Sequence, residues 1–482
     1  MKKIFLVTAA LCMLTAQGQE CDCESTFNWV KKTFEENDAG FLYVLQNKGE
    51  EAYKQHNIEF NQVVKSVSNP DQCRAVIREW LSFFRSGHLS FNRINVSEDK
   101  SANTEPTETE IIQMYKDWKV LKVDMNNFKK YIDSKKKVEF EGIWTNGPYE
   151  IGIKKVKDKY IGFIIQADGI YWKEGQIKLE IHEDSSSTYY MRDHSAENFN
   201  ATELLGDNFL EMGFVTLKRK YPIPTKDDSA ERYIKVINAE KPYLESIGKE
   251  TLLLRIPRFS GSHKKNIDSV IHANMNKILK TKNLIIDLRN NGGGSDRSFQ
   301  ELIPLLYTNP IRSVGVEFLS TPLNNKRMMD FINDPKYDFN DKEKKWAKQS
   351  HKKLSRRINE FVNLKETKTT ITKLDVIHDF PKNIGIIINE NNASTTEQFL
   401  LLAKQSKKVK LFGTTTQGLL DISNMYFVKS PCEDFELGYG LSKSMRIPEM
   451  TVDNKGIQPD YYIDSEVPKH KWIDYVISTF ND

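Results

Sequence analysis

The residues best placed to do chemistry lie at 389–397, which read NENNASTTE. The preceding run, IGIII at 384–388, predicts a buried strand, and QFLLLAK at 398–404 consists mostly of good helix formers. Ser394 is therefore predicted at a strand-to-helix turn, beside the unpaired N–H groups of a helix start. Those N–H groups favour negative charge, such as an oxyanion that forms on an attacked carbonyl.

The same residues also allow a purely structural interpretation. Ser394 and Glu397 spell a capping box, Ser-x-x-Glu, which any helix can carry at its N-terminus. On this stretch alone, the nucleophile and the cap both remain open.

A glycine-rich loop provides the second candidate group. NLIIDLR at 283–289 predicts a buried strand, which runs into NNGGG at 290–294. Three consecutive glycines allow positive φ and a close approach of the backbone to a ligand. The pattern is neither Gly-x-Gly-x-x-Gly nor a P-loop, so it does not indicate nucleotide binding. It favours a backbone N–H donor to a carbonyl or oxyanion, with a loose turn as the alternative.

A histidine near the N-terminus is the third candidate. Val76, Trp80 and Phe84 recur at helical spacing, and this helix is predicted to end near Ser86 and Gly87, just before His88. A histidine at such a place is commonly a surface or structural residue, and a catalytic base is the alternative.

The elements that must position these groups fall into a linear order of segments. The predicted order is a signal peptide at 1–18, a helical segment at 19–100, a polar linker at about 101–115, a β-rich domain at 116–240, and an α/β core at 241–482 with a basic helical insertion at 323–372. The insertion carries eight lysines and arginines between 342 and 357. Leu354, Ile358, Phe361 and Val362 are predicted to form its apolar face, as on a surface helix.

The first residues predict export. Lys2 and Lys3 precede an apolar run at 4–14 and a small-x-small cleavage site at 16–18. That run is too short to span a bilayer, and no later stretch is long and apolar enough to do so. The mature chain is therefore predicted to be periplasmic or extracellular, with no transmembrane segment.

Cysteine usage agrees with an exported chain. Cys21, Cys23, Cys73 and Cys432 would remain after cleavage, and Cys73 is predicted to pair with Cys21 or Cys23. Cys21-Asp22-Cys23 is too tight for a redox motif, and no second cysteine pair indicates zinc. No metal or other cofactor is predicted.

Composition excludes one class of partner. The 482 residues are 39% hydrophobic and 28% charged, as in a soluble protein of several domains. The formal charge of +4 is only mildly basic, and no basic-aromatic module is present. Nucleic acid is therefore not a predicted partner, and the sequence leaves the oligomeric state open.

Four motifs, in this order, resemble the C-terminal processing (tail-specific) family of serine peptidases. They are DLRNNGGG at 287–294, NASTTE at 392–397, FGTTTQG at 412–418 and GIQPD at 456–460. The resemblance covers about residues 245–465. It implies an α/β, crotonase-like (ClpP/crotonase-type) peptidase core, here with a helical N-terminal segment. The β-rich domain is inserted in the place where relatives often carry a PDZ domain.

The resemblance also assigns the catalytic groups. Many members use a Ser–Lys dyad, but Leu419 occupies the place of that lysine. Another branch, that of the tricorn core and the retinoid-binding repeats, uses Ser–His–Glu. By this likeness Ser394 is the nucleophile, His88 the base and Asp453 the acid, with aspartate in place of glutamate. The acid would hold the imidazole tautomer and stabilise the imidazolium.

The oxyanion hole follows from the same likeness. The amide N–H groups of Thr395 and of Gly292 or Gly293 would receive the oxyanion. The predicted activity is an exported serine endopeptidase that hydrolyses peptides or protein tails through an acyl-enzyme. Two alternatives remain: a catalytically degenerate binding protein on the peptidase fold, and an exported scaffold that recognises partners through the β-rich domain.

Overall fold

The computed structural model describes residues 22–94, 106–137 and 139–481, so the predicted signal peptide and Cys21 lie outside the described residues. The described chain forms two compact units. The first takes in the described residues before Asp99 together with Arg312–Thr370 and Leu419–Asn454. The second takes in the described parts of Asp99–Ile311, Ile371–Gly418 and Lys455–Asp482. Each unit is assembled from three separate stretches of the chain. The bounds of the domains along the sequence stay a prediction.

The elements are numbered in chain order. The helices are α1 (Cys23–Asn37), α2 (Phe41–Lys48), α3 (Glu50–Val63), α4 (Pro70–Ser82), α5 (Glu108–Met114), α6 (Met125–Asp133), α7 (Asp228–Ile237), α8 (Lys264–Ile278), α9 (Ile303–Leu306), α10 (Pro322–Asn333), α11 (Asp341–Leu354), α12 (Thr395–Ala403) and α13 (Trp472–Asn481). The strands are β1 (Ser90–Arg93), β2 (Gly142–Asn146), β3 (Tyr149–Val156), β4 (Lys159–Gln166), β5 (Ile177–Ile181), β6 (Ser187–Tyr190), β7 (Ala196–Phe199), β8 (Thr202–Leu205), β9 (Phe209–Met212), β10 (Val215–Tyr221), β11 (Tyr243–Ile247), β12 (Thr251–Arg255), β13 (Asn283–Asp287), β14 (Ile311–Val314), β15 (Val316–Leu319), β16 (Phe361–Asn363), β17 (Thr369–Thr372), β18 (Asn383–Ile388), β19 (Val409–Gly413), β20 (Ile422–Lys429), β21 (Phe435–Ser444) and β22 (Tyr461–Tyr462).

The predicted helical N-terminal segment is confirmed in the first unit. Phe27 and Phe34 lie about two turns apart on the same face of α1. Both rings meet the Trp80 ring of α4 edge-on, at centroid distances of 5.4 and 5.9 Å. A disulfide between Cys23 and Cys73 joins the same two helices. This aromatic core and the disulfide fix the end of α4, and so the loop that carries His88.

A sheet completes the first unit. Its strand order is β1-β21-β15-β16, and β20 also pairs with β21, antiparallel to it. The predicted basic helix exists as α11, but its predicted apolar face is wrong. The helix ends at Leu354, and Phe361 and Val362 lie in β16. The Ser320 hydroxyl donates to the Leu354 carbonyl at 2.8 Å, at the end of this helix.

The predicted β-rich domain is confirmed in the second unit. It is a nine-stranded antiparallel sheet of order β7-β6-β5-β4-β3-β2-β10-β9-β8. Alternate residues, including Trp144, Ile151, Leu179 and Leu217, are buried in its core. The described part of the predicted linker contains helix α5, which Thr107 caps with a capping box.

The second unit also contains the predicted α/β core, a six-stranded sheet of order β11-β12-β13-β18-β19-β22. β11 is antiparallel to β12, and the remaining neighbours are parallel. β13 and β18 are direct neighbours, with Ile285 opposite Gly385. Because the carboxyl ends of parallel strands meet at one edge, the glycine loop after β13 and the serine turn after β18 lie side by side.

Candidate active site

Ser394 lies between strand β18 and helix α12, as predicted. Its backbone has φ 57° and ψ −119°, which is neither the extended conformation of an ordinary N-cap nor a helical one. Serine has no intrinsic preference for positive φ, so the neighbouring structure must impose this strain. A strained strand-to-helix turn that exposes a serine is the arrangement used by nucleophile elbows.

The capping interpretation also holds, because both bonds of the capping box between Ser394 and Glu397 are present. The fully buried Glu397 carboxylate accepts the Ser394 N–H at 3.1 Å. Its other oxygen accepts the Thr416 hydroxyl at 2.6 Å and the Gly418 N–H at 2.7 Å. Glu397 therefore does more than cap α12, because it ties the Ser394 backbone to the loop after β19.

The glycine loop lies against the serine turn. A Cβ atom at Gly293 would stand 2.7 Å from the Ala393 carbonyl oxygen, 2.8 Å from the Thr395 nitrogen and 3.0 Å from the Ser394 Cβ. Gly293 also has φ +98°. Only glycine meets both requirements without strain, and this explains the residue type at 293.

Asparagine side chains hold these two loops together. Asn392 Nδ2 donates to the carbonyl oxygens of Leu288 and Asn291 at 2.5 and 3.1 Å. The Thr396 hydroxyl donates to the Asn291 carbonyl at 2.9 Å, and the Asn291 side chain donates to the Ile256 carbonyl at 3.1 Å. All these groups are buried, so each bond satisfies a polar group that would otherwise be costly.

The predicted oxyanion-hole residues lie together in the second unit. Thr395 is the first residue of α12, and the first N–H groups of a helix have no acceptor within it. The Gly293 N–H donates to Asn291 Oδ1 at 3.0 Å, and a Cβ atom added at Gly292 would stand 4.0 Å from the Asn391 carbonyl oxygen. The Gly293 N–H is thus already engaged, and the prediction that either glycine completes the oxyanion hole with Thr395 stays open.

His88 lies in the first unit, in the turn after α4, with φ 52°. Arg85 fixes that turn, because its guanidinium donates to the carbonyl oxygens of Gly87 and His88, each at 3.1 Å. The buried Asp38 receives two further bonds from Arg85, at 2.8 and 2.5 Å. Sequence analysis did not single out this ion pair, since Asp38 lies far from His88 along the chain.

The His88 ring is held by a backbone carbonyl. Its Nδ1 lies 2.5 Å from the carbonyl oxygen of Ile422. A carbonyl only accepts, so Nδ1 carries the proton and the neutral ring keeps its lone pair on Nε2. Burial lowers the pKa of His88 below its usual 6.5, and the Arg85 charge adds to that effect, while the Ile422 bond and the Asp38 charge oppose it. The ring is therefore in the tautomer that a general base needs.

Asp453 lies in the same unit, and its side chain bonds the backbone segment that carries Ile422. Its carboxylate accepts the N–H groups of Leu420, Asp421 and Ile422 at 2.6, 2.7 and 3.4 Å. The structure thus places Ser394, Thr395, Gly292 and Gly293 in one unit, and His88 and Asp453 in the other.

A cavity of about 680 Å³ opens in the second unit beside the serine turn. Asn290 and Asn391, from the glycine loop and the serine turn, form part of its wall. Glu203 and Glu211 line it from the β-rich sheet, and Lys469 lines it from the turn before α13. Burial raises the pKa of Glu211 above its usual value.

Within residues 22–94, 106–137 and 139–481, no cluster of histidine, cysteine, aspartate and glutamate has metal-binding geometry. Over the same residues, no helix combines the length and the apolar character that crossing a bilayer requires.

The crotonase-type core, with its serine at a strained turn, is that of a serine-type peptidase. Residues 250–463 match the model of Peptidase family S41, and this stretch includes both the glycine loop and Ser394. No curated protein matches the chain in sequence.

Solved structures show the same fold. The structure of mature CPAF complexed with lactacystin aligns over 95% of this chain and 97% of its own, at 13% identity and a TM-score of 0.52. The structure of mature CPAF alone aligns over 95% and 96%, at 13% identity and a TM-score of 0.50. At such identities the likeness concerns the fold.

Proposed function

We propose that the chain is an exported serine endopeptidase that cleaves peptides or protein tails through an acyl-enzyme at Ser394. The observation that carries the proposal is the strained backbone of Ser394, which α12 and the glycine loop enforce from both sides. Such strain costs about 1–3 kcal/mol and persists only where the surroundings over-determine it. A capping serine needs none of it.

His88 acts as the base in this proposal. Its Nε2 takes the proton from the Ser394 hydroxyl as the oxygen attacks the peptide carbonyl, and later gives it to the leaving amine. The fixed Nδ1–H tautomer supports this role. The N–H groups of Thr395 and Gly292 receive the negative charge on the carbonyl oxygen, and water then hydrolyses the ester.

Covalent labelling tests the nucleophile. A fluorophosphonate should label the folded wild-type protein at Ser394, and Ser394→Ala should abolish both labelling and hydrolysis of a peptide pool. His88→Ala should lower hydrolysis by several orders of magnitude, as the loss of a triad member does.

The matched control is Ser185→Ala, because Ser185 also has positive φ, at 66°, but lies in a turn of the β-rich domain. The Ser185→Ala variant should react with the fluorophosphonate and hydrolyse peptides like the wild type. A folded wild-type protein that neither reacts nor hydrolyses peptides would remove the peptidase proposal and leave the degenerate binding protein.

Export rests on the residues at 1–18 and is supported by the Cys23–Cys73 disulfide, since such bonds persist in oxidising compartments. The N-terminus of the exported protein should be Gln19. Recovery of exported protein that still begins at Met1 would contradict cleavage at this site.

A further inference from the structure

We propose that the base His88 is held by the backbone carbonyl of Ile422, and that Asp453 is a positioning residue that fixes this backbone instead of touching the imidazole. This inference rests on the proposed function, in which His88 is the base. It changes the role that family resemblance assigns to Asp453. The triad's third member becomes a peptide group, and the carboxylate acts one step further away.

The contacts of the imidazole carry the first step. His88 Nδ1 donates to the Ile422 carbonyl at 2.5 Å, the place where a triad carboxylate would accept. The carbonyl oxygen fixes the tautomer and the ring orientation as a carboxylate does. It is neutral, however, and so stabilises the imidazolium less than a charged acceptor.

The contacts of Asp453 carry the second step. Oδ1 accepts from Leu420 N at 2.6 Å and from Asp421 N at 2.7 Å, and Oδ2 lies 3.4 Å from Ile422 N. These are three successive amides at the start of β20, and Leu420, Asp421 and Ile422 are all buried. The carboxylate therefore sets the path of the backbone that presents the Ile422 carbonyl.

Asp421 returns the same contact. Its Oδ2 accepts the N–H groups of Val452 and Asp453 at 2.6 and 2.8 Å. Its Oδ1 lies 3.4 Å from the Arg446 guanidinium, and its own carbonyl accepts Ser444 N at 2.7 Å. Each aspartate thus binds the backbone of the other, and this reciprocal pair locks the two segments together.

The two roles predict opposite rankings of the variants at position 453. A triad acid tolerates Asp453→Glu, which keeps the charge, and fails with Asp453→Asn, which favours the wrong tautomer. A positioning residue should give the opposite ranking, with Asp453→Asn tolerated better than Asp453→Glu. Asparagine keeps one oxygen for Leu420 N and Asp421 N, whereas glutamate carries both oxygens one methylene beyond the three amides.

The kinetic experiment measures kcat/KM and the thermal midpoint for the three variants at 453. Asp453→Asn should stay within about 10-fold of wild type. Asp453→Glu and Asp453→Ala should lose about 100-fold or more, as expected when a catalytic group is misplaced by about 1 Å. The control, Asp375→Ala, removes an exposed acid in the other unit and should behave as wild type.

A second measurement does not depend on catalysis. Nitrogen NMR of histidine-labelled protein, with His88→Ala for assignment, reports the tautomer of His88 and its pH titration. His88 should be the Nδ1–H tautomer in the wild type and in Asp453→Asn, with the same titration midpoint in both. In Asp453→Glu the Nδ1–H should exchange faster with solvent, because the carbonyl that protects it has moved.

The outcomes separate the two proposals. A loss of about 10,000-fold in a folded Asp453→Asn, with Asp453→Glu near wild type, overturns the positioning role and restores the triad acid. A lower titration midpoint of His88 in Asp453→Asn does the same without any activity measurement. A wild type that lacks hydrolysis but keeps the predicted tautomers refutes only the peptidase function.

Discussion

The Nδ1 atom of His88 lies 2.5 Å from the carbonyl oxygen of Ile422, and the Arg85 guanidinium donates to the His88 carbonyl at 3.1 Å. The base of the proposed peptidase is therefore held at its ring and at its backbone by groups of the same unit. The contacts that hold His88 involve backbone carbonyls and the buried ion pair between Arg85 and Asp38. Such contacts do not form a local sequence motif.

The first prediction concerns pH. Burial and the Arg85 charge lower the pKa of His88 below 6.5, and a protonated imidazole cannot take the serine proton. The acid limb of kcat/KM should therefore have its midpoint below pH 6.5. A pH profile of kcat/KM measures this, and a midpoint above 6.5 would show that another group controls activity.

The same shift affects stability. The folded-state pKa of His88 lies below the unfolded-state value, so the unfolded chain binds this proton more readily. The free energy of unfolding should decline as the pH falls below about 6.5. In His88→Gln this part of the decline should be absent, which denaturant titrations at several pH values can measure.

The second prediction concerns the disulfide. Cys23 and Cys73 are 50 residues apart, and closing such a loop stabilises a folded chain by about 4 kcal/mol in the chain-entropy model. Replacing both by serine should lower the free energy of unfolding by about this amount. A double variant that unfolds at the same denaturant concentration as wild type would contradict the prediction.

Local pattern predicted the parts of the fold that depend on neighbouring residues. The β-branched run at 384–388 and the helix formers at 398–404 placed Ser394 correctly between β18 and α12. The β-rich region and the N-terminal helices were also readable, because alternation and helical spacing are local signals. The apolar face assigned to 354–362 failed because the chain turns into β16 after Leu354.

The rest of the site depends on contacts between distant residues. Asp38 meets Arg85 across 47 residues, and His88 meets Ile422 across 334. Asp453 was found only through the family's motif order, which gives a position but not the atoms that its carboxylate binds. Asp421 lies two residues after Leu419, which occupies the place of the dyad lysine, and so it could have been considered as a site residue. One sequence, however, gives no reason to pair Asp421 with Asp453.

The third prediction concerns Gly87. A Cβ atom there would stand 2.4 Å from Leu419 Cδ1, so Gly87→Ala must displace the leucine or the turn that carries His88. We expect kcat/KM to fall by about 10- to 100-fold. Adding Leu419→Ala makes room for the new methyl group and should restore part of the loss.

The control for this pair is Leu419→Ala alone, and the four proteins form a double-mutant cycle. A positive coupling between the two sites is expected in kcat/KM. If the two effects simply add, Gly87 and Leu419 act independently and the steric explanation fails.

The last prediction concerns Gly293, which keeps the glycine loop in contact with the serine turn. In Gly293→Ala the new methyl group would meet backbone atoms of Ala393 and Thr395 at 2.7 and 2.8 Å, and these cannot rotate away as a side chain can. The two loops must separate, so the Ser394 turn loses part of its support. Both fluorophosphonate labelling and kcat/KM should fall by about 100-fold or more.

Gly248→Ala isolates the backbone strain from this contact. Gly248 has φ +72°, in the same region as Gly293, but no atom lies within 4 Å of its added Cβ. It should cost about 1–2 kcal/mol of unfolding free energy, the usual penalty for a left-handed residue, without changing the labelling rate. If Gly293→Ala loses only as much stability as Gly248→Ala and labels at the wild-type rate, then the close approach at Gly293 does not support the nucleophile.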